Sequence, residues 1–394
     1  MALSAHTIDI VKSTAPVLAE HGEQITALFY KDLFIAHPQL QHIFNMANQA
    51  KGEQKRALAD AVFAYATHID KLAALEPAVA RIAHKHASLA VQPEHYPIVG
   101  EFLLKAIAKH LNLQANDPII LAWGEAYQAL ASIFISEEQS IYQNNQQKLG
   151  GWKGDRQFVI DKIIDEAQGV KSFYLLPKDR QPIATWQAGQ YIGVKTSPNT
   201  SEYTEIRQYS LSNSPNNEYY RITVKAENEP VTGCVSNYLH QASVGAQLLL
   251  QPPTGEFVLV NDEPKLTLIA AGVGITPVLS MLLSRIDLGI DVSHITFIQC
   301  CKDESHQIQA TTLKRLSQQH KFHYYVALEQ GANGDHQGYL DEQILNKWLT
   351  DKSQHVYFCG PKAFMNAMFT SLTTIGFNPQ NLHYETFGPS INLG

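Results

Sequence analysis

Cysteine is scarce in this chain, and the first 233 residues contain none. The four present, Cys234, Cys300, Cys301 and Cys359, match no zinc or iron–sulfur spacing. They read as reduced structural thiols, which removes an iron–sulfur cluster as an electron acceptor. Long apolar runs are missing too: no stretch of about 18 uninterrupted apolar residues occurs, so no membrane span is expected. The opening Met1-Ala2-Leu3-Ser4-Ala5-His6 has no basic segment before an apolar core and does not read as a secretory signal. Positive charge is in deficit, 30 Lys and Arg against 37 Asp and Glu, and the net charge of −7 argues against a nucleic-acid or anionic-membrane surface. Internal repeats and low-complexity tracts are absent as well. What is there, 394 residues with 45% hydrophobic and 17% charged, excludes disorder and suits a cytoplasmic enzyme of two or three domains.

Strand patterning is lacking over roughly the first 140 residues, which read as amphipathic helices. Their breaks fall near Gly22, His37-Pro38, Gly52, Pro77, Pro93 and Asp117-Pro118. This sets a helical domain at 1–142. The polar, glycine-ended stretch from Asn144 to Gly151 marks a linker, 143–153. Over 154–262 the period changes to two, in β-rich runs such as 158–160, 191–194 and 220–224, the pattern of an antiparallel barrel. From 263 to 394 short apolar strands (266–270, 295–298, 322–326, 355–358) alternate with helices, one expected over 308–319. That alternation implies an α/β domain with a parallel sheet and ligands at its carboxyl edge.

Projected at about 100° per residue, Leu75, Val79, Ile82, His86 and Leu89 share one line, while His84 points away, toward water. A histidine on such a stripe is either a satisfied core residue or a ligand. A second stripe holds Gln54, Leu58, Ala61, Tyr65 and Ile69, and Tyr30 shares a face with Ala27 and Phe34. Either Gln54 and Tyr30 find local backbone partners, or both point into a cavity that binds something polar.

In the second half, three motifs each follow a strand: R-Q-Y-S at 207–210, G-V-G-I-T-P at 272–277 and C-G-P at 359–361. Gly272 and Gly274 would let the backbone approach a pyrophosphate, and Thr276-Pro277 would open the helix whose N-terminus faces it. A plain strand–helix turn is the alternative. The G-C-V-S-N run at 233–237 also leads into a helix, a natural place for backbone amides to hold phosphate.

Together these residues resemble the flavohaemoglobins along the whole chain. Tyr30, the I-F-N-M segment with Phe44, Gln54, Leu58, K-H at 85–86, P-E-H-Y at 93–96, A-W-G-E-A-Y at 122–127 and E-E-Q-S-I-Y at 137–142 are similar to their globin domain. R-Q-Y-S and the later motifs resemble their ferredoxin-reductase-like module. The resemblance implies haem b on His86, with Tyr30 and Gln54 toward bound oxygen, Tyr96 and Glu138 completing a network behind the histidine, and Lys85 near a propionate. It implies FAD held by Tyr191, Arg207, Gln208, Tyr209, Ser210 and Ser236. For NAD(P)H it implies Ala271, Gly272, Val273, Gly274, Ile275, Thr276 and Pro277, then Cys359, Gly360 and Pro361. The closing Glu385, Thr386, Phe387, Gly388 and Pro389 would cover or tune the flavin. Cys234, Ile275 and Thr386 depart from the usual family residues (Gln, Gln and Cys).

The implied activity is that of a nitric oxide dioxygenase, turning O2 and NO into nitrate with electrons from NAD(P)H through FAD. The implied state is a monomer, and lipid in the haem pocket is left open. Two alternatives stand beside it: an oxygen-binding or redox-sensing protein that reduces itself, and a reductase of lipid hydroperoxides or partner proteins. The strand near Cys300 ends in Lys302-Asp303-Glu304, which selects neither NADH nor NADPH.

Overall fold

A computed structural model describes residues 3–46, 49, 52–198, 201–228, 233–260 and 265–388. The chain forms two compact units, 1–147 with 195–207, and 148–194 with 208–394.

The first unit is helical: α1 Ala5–Ser13, α2 Ala15–Ala36, α3 Glu53–His68, α4 Glu76–Ser88, α5 His95–Leu111 and α6 Pro118–Gln147. Ser4 starts α1 by accepting from the Thr7 amide at 3.0 Å, and prolines open α2 and α4 in their first turns. Val11, Phe29, Leu33, Ile107 and Trp123 form the core, with the Trp123 indole donating to Thr14 Oγ1 at 3.1 Å. The break expected at Gly22 does not occur. α2 runs through it, because a Cβ there would lie 3.0 Å from the Ala59 Cβ; the glycine serves a close crossing with α3.

The stripes also sit differently from expectation. On α4 the buried residues are Ala83, Ala87 and Ser88, small side chains that let it approach α6, while Val79, Ile82 and His86 stay half-buried. His84 is half-buried and partnered rather than turned to water. On α3 the buried set is Ala59, Val62, Tyr65 and Ala66.

α6 reaches Gln147, past the asparagines and glutamines assigned above to a linker. Its last turns are anchored, with Asn145 buried and the Tyr142 hydroxyl donating to the Val91 carbonyl at 2.7 Å. By length and composition alone α6 meets the test for a membrane-crossing helix, a test that core helices also pass. It packs instead against α1, α4 and α5.

In the second unit, β1 Arg156–Ala167, β2 Val170–Pro177, β3 Tyr191–Thr196, β4 Glu205–Ser210, β5 Tyr220–Lys225 and β6 Gln247–Leu250 lie in the order β4-β3-β6-β1-β2-β5. The connection from β3 to β4 belongs to the helical unit. A bridge between Leu211 and Ile222 returns the end of β4 to β5 and closes the sheet on itself around Phe158, Phe173 and Tyr220. Helix α7, Cys234–Gln241, follows.

The second sheet comprises β7 Leu266–Ala271, β8 Thr296–Cys301, β9 His323–Leu328, β10 His336–Gln337, β11 His355–Gly360 and β12 Leu382–Thr386. Its pairs are parallel, in the order β10-β9-β8-β7-β11-β12. Helices α8 Ile275–Asp287, α9 Ala310–His320, α10 Glu342–Trp348 and α11 Lys362–Thr374 complete it. α9 starts two residues later than expected because Gln309 takes φ +57°, a left-handed conformation that cannot be helical. The strand order reverses between β7 and β11, so their carboxyl ends frame a crevice.

Candidate functional site

In the helical unit, α4 carries His86 in its last turn and α6 carries Glu138, which is 2% exposed. His86 Nδ1 lies 2.7 Å from Glu138 Oε1 and 3.1 Å from the Tyr96 hydroxyl, and that hydroxyl donates to Glu138 Oε1 at 2.5 Å. Burial, then the Glu138 hydrogen bond, pushes the Tyr96 pKa well up, so the phenol keeps its proton. A carboxylate can only accept, so the imidazole proton belongs on Nδ1 and Nε2 carries the lone pair. Nε2 takes no hydrogen-bond partner among the described residues. The Tyr127 hydroxyl holds the Tyr96 carbonyl at 2.7 Å, and Gly100 makes room for that ring, since a Cβ there would sit 2.4 Å from it. Glu137, the neighbour, is exposed.

Tyr30, on α2, is 5% exposed and lies among Phe29, Phe34 and Phe44, each ring centroid within 5.7 Å. Burial raises its pKa strongly, and Gln49 draws it back. Gln49 is buried, yet its Nε2 makes no hydrogen bond of good geometry, and Gln54 Oε1 is buried without a partner. Leu58 and Lys85 are half-buried. Gln49 was not legible in the sequence, because it lies on neither apolar stripe. A bare imidazole nitrogen backed by a carboxylate, with an unused donor on Gln49 and an unused acceptor on Gln54, fits haem and a polar ligand.

In the flavin motif, Arg207 Nη1 meets Glu205 Oε2 and the Ile206 carbonyl, both at 2.9 Å. Gln208 and Tyr209 are half-buried and Ser210 is buried. Tyr191 exchanges both backbone hydrogen bonds with Thr254 at 2.9 Å, and a Cβ on Gly255 would come within 2.9 Å of its ring. Ser236 is engaged locally: its hydroxyl accepts from the Glu227 amide at 3.3 Å.

At the parallel crevice, Gly272 takes φ +53°. A Cβ on Gly274 would lie 2.3 Å from the Cys359 carbonyl oxygen, and one on Gly360 2.9 Å from the Ala271 Cβ. These glycines let the ends of β7 and β11 touch and bare their backbone to a pyrophosphate. Three side chains singled out above face inward. Ile275 and Cys359 are fully buried in the apolar core, Thr276 is 2% exposed with its hydroxyl on the Val273 carbonyl at 3.0 Å, and burial raises the Cys359 thiol well above its usual range. They can meet a nucleotide through backbone alone. Pro361 is exposed; Val273 and Pro277 flank the turn, the former half-buried and the latter buried. Glu385 pairs in register with Cys359, Thr386 with Gly360, and Phe387 is 49% exposed. Gly388 is half-buried, and Pro389 lies outside the described residues.

Beyond β8, Asp303 accepts from the Ser305 hydroxyl at 2.6 Å and from His306 Nδ1 at 2.7 Å, and with the Ser305 amide at 2.9 Å these hold its pKa down at about 2. Glu304 accepts from Asn333. Among the described residues no cluster of three His, Cys, Asp or Glu could hold a metal ion.

Three family models match: Globin over 27–134, the oxidoreductase FAD-binding domain over 158–259 and the oxidoreductase NAD-binding domain over 268–369. A flavohemoprotein of Oceanobacillus iheyensis is 42% identical, covering 98% of this chain and 97% of the relative. Flavohemoprotein A of Dictyostelium discoideum is 41% identical over 100% of both. Among solved structures, the flavohemoglobin of Malassezia yamatoensis with bound FAD and heme superposes with a TM-score of 0.89, at 28% identity over 98% of this chain and 100% of that one. The flavohem-like FAD/NAD-binding domain of a nitric oxide dioxygenase from Vibrio cholerae matches with a TM-score of 0.54, at 34% identity over 59% of this chain and 99% of that one.

Proposed function

The chain belongs to the flavohemoprotein family, and from that premise we propose that it is an NAD(P)H-dependent nitric oxide dioxygenase, converting NO and O2 to nitrate. The globin joined to FAD-binding and NAD-binding oxidoreductase domains makes the chain a haem and flavin oxidoreductase fed by nicotinamide nucleotide. Haem held at His86 would supply a one-electron iron centre, and FAD at the 207–210 motif would supply the conversion of a two-electron hydride into single electrons.

The observation that supports the dioxygenase assignment is the 2.7 Å contact between Glu138 and His86 Nδ1. A buried carboxylate there makes the imidazole a stronger electron donor at Nε2, which suits oxygen activation over reversible storage. Tyr96, donating to the same oxygen, keeps the Glu138 side chain aimed at the imidazole. Tyr30 and Gln54 would donate to an oxygen ligand carrying partial negative charge. Arg207 would neutralise the flavin pyrophosphate, and the 272–277 turn would present backbone to the nicotinamide nucleotide.

The test is nitrate yield against NO consumed in air-saturated buffer with NADH or NADPH. We expect one nitrate per NO, and a fall in turnover of about 10–100-fold in Glu138→Gln, with a lower iron–histidine stretching frequency. Reversible O2 binding with slow nucleotide oxidation would favour the sensing alternative. Turnover that survives His86→Ala would favour a reductase of other acceptors.

A further inference from the structure

Glu205 is a carboxylate 4% exposed, placed two residues before Arg207 on β4. Alternation along a strand puts both side chains on one face. Its Oε2 forms an ion pair with Arg207 Nη1 at 2.9 Å, without the alignment of a hydrogen bond, and its Oε1 accepts from the Ser201 hydroxyl at 3.2 Å. The same Nη1 donates to the Ile206 carbonyl at 2.9 Å. One guanidinium nitrogen therefore takes both restraints. The Nε and Nη2 edge has no hydrogen-bond partner among the described residues.

A guanidinium offers its donors as planar forks, and the Nε–Nη2 fork matches two phosphate oxygens. Left on a free side chain, that fork would sample many rotamers and lose orientation entropy on binding. A buried carboxylate is a poor choice for stability alone, since desolvation offsets its attraction to the cation. It is a good choice for fixing direction.

We propose that Glu205 is a positioning residue for the flavin pyrophosphate, tethering Arg207 through Nη1 so that its other edge is presented to the phosphates. This rests on the reading of Arg207 as the pyrophosphate arginine. Glu205 itself touches no flavin atom in this scheme; it acts through Arg207.

The full-length protein, stripped of flavin and titrated with FAD by flavin fluorescence, tests it. Glu205→Gln, which keeps the shape and the Ser201 contact, should weaken FAD about tenfold, and Arg207→Ala at least as much. In the double variant the Glu205 change should add less than about twofold, because its effect passes through Arg207. The phosphorus resonances of bound FAD should shift in Glu205→Gln, which a purely structural role would not cause. Wild-type affinity and resonances in Glu205→Gln, or effects that add in the double variant, would overturn the proposal. If Arg207→Ala also bound FAD as wild type does, the assignment of Arg207 would fall, and the role of Glu205 with it.

Discussion

Gln54 keeps a buried amide oxygen without a hydrogen-bond partner, a state that costs on the order of 1–3 kcal/mol. A fold selected for stability alone would replace it with an apolar side chain of similar size. Gln54→Leu in the haem-free protein should therefore raise the urea midpoint, by about 1 kcal/mol of stability. In the haem-loaded protein the same change should speed O2 dissociation. A lowered midpoint would mean that the amide is satisfied after all. Residues of this kind were legible because a polar side chain on an apolar stripe stands out; Tyr30 and His86 emerged the same way. Partners that arise where two helices meet do not stand out. Gln49 beside Tyr30 carries no periodic signal. That Glu138 and not its neighbour Glu137 faces inward follows from helical spacing: Glu138 is one turn from Phe134 and from Tyr142, both buried, whereas Glu137 lies off that face.

At the level of elements, the 270–277 turn shows what a sequence can state outright. Close backbone approach and a left-handed residue both demand glycine, so Gly272 and Gly274 are written into the chain. The burial of Ile275 was not written there, because direction around a helix's first turn depends on how α8 meets the sheet. The pairing of β11 with β12 adds a feature invisible beforehand. His355 Nδ1 and His383 Nε2 are 2.7 Å apart, and His383 also stacks on Tyr357 at 4.5 Å. Burial first, and then the neighbouring His355, depress the His383 pKa to about 4. An unfolded histidine titrates near 6.5. Above about pH 6.5 both states are neutral and stability is complete. As pH falls from there toward 4 the unfolded chain binds a proton that the folded chain refuses, so stability drops; below 4 the loss saturates. Because the ring is part-exposed, we expect only about 1 kcal/mol between pH 7 and pH 5. Urea midpoints of wild type and His383→Gln at both pH values measure it. An equal pH dependence in the two proteins would refute the assignment.

On the scale of the whole molecule, the domains read as continuous segments, whereas the compact units are not continuous. Residues 195–207, the end of β3, the start of β4 and the connection between them, group with the helices. The physical tie within that unit is His42. Its Nδ1 accepts from the Thr204 backbone amide at 3.0 Å, and its ring meets Tyr203 edge-on at 5.3 Å. The pairing spans 162 residues, and nothing local to either partner announces it. The segment it restrains also carries Glu205 and Arg207, so the tie fixes the approach to the arginine as well as the helices. His42→Phe keeps an aromatic ring for Tyr203 but removes the acceptor. The Thr204 amide, if left without another partner, should then exchange faster, by about fivefold for the loss of roughly 1 kcal/mol of local protection. Hydrogen exchange followed by mass spectrometry on peptides spanning 201–206 reads this directly. Peptides from β1 and β2, which belong to the other unit, should keep their wild-type rates. Uniform acceleration across both units would show that the substitution acts on global stability. Unchanged exchange at 201–206 would show that His42 is a bystander to a segment held by its other contacts.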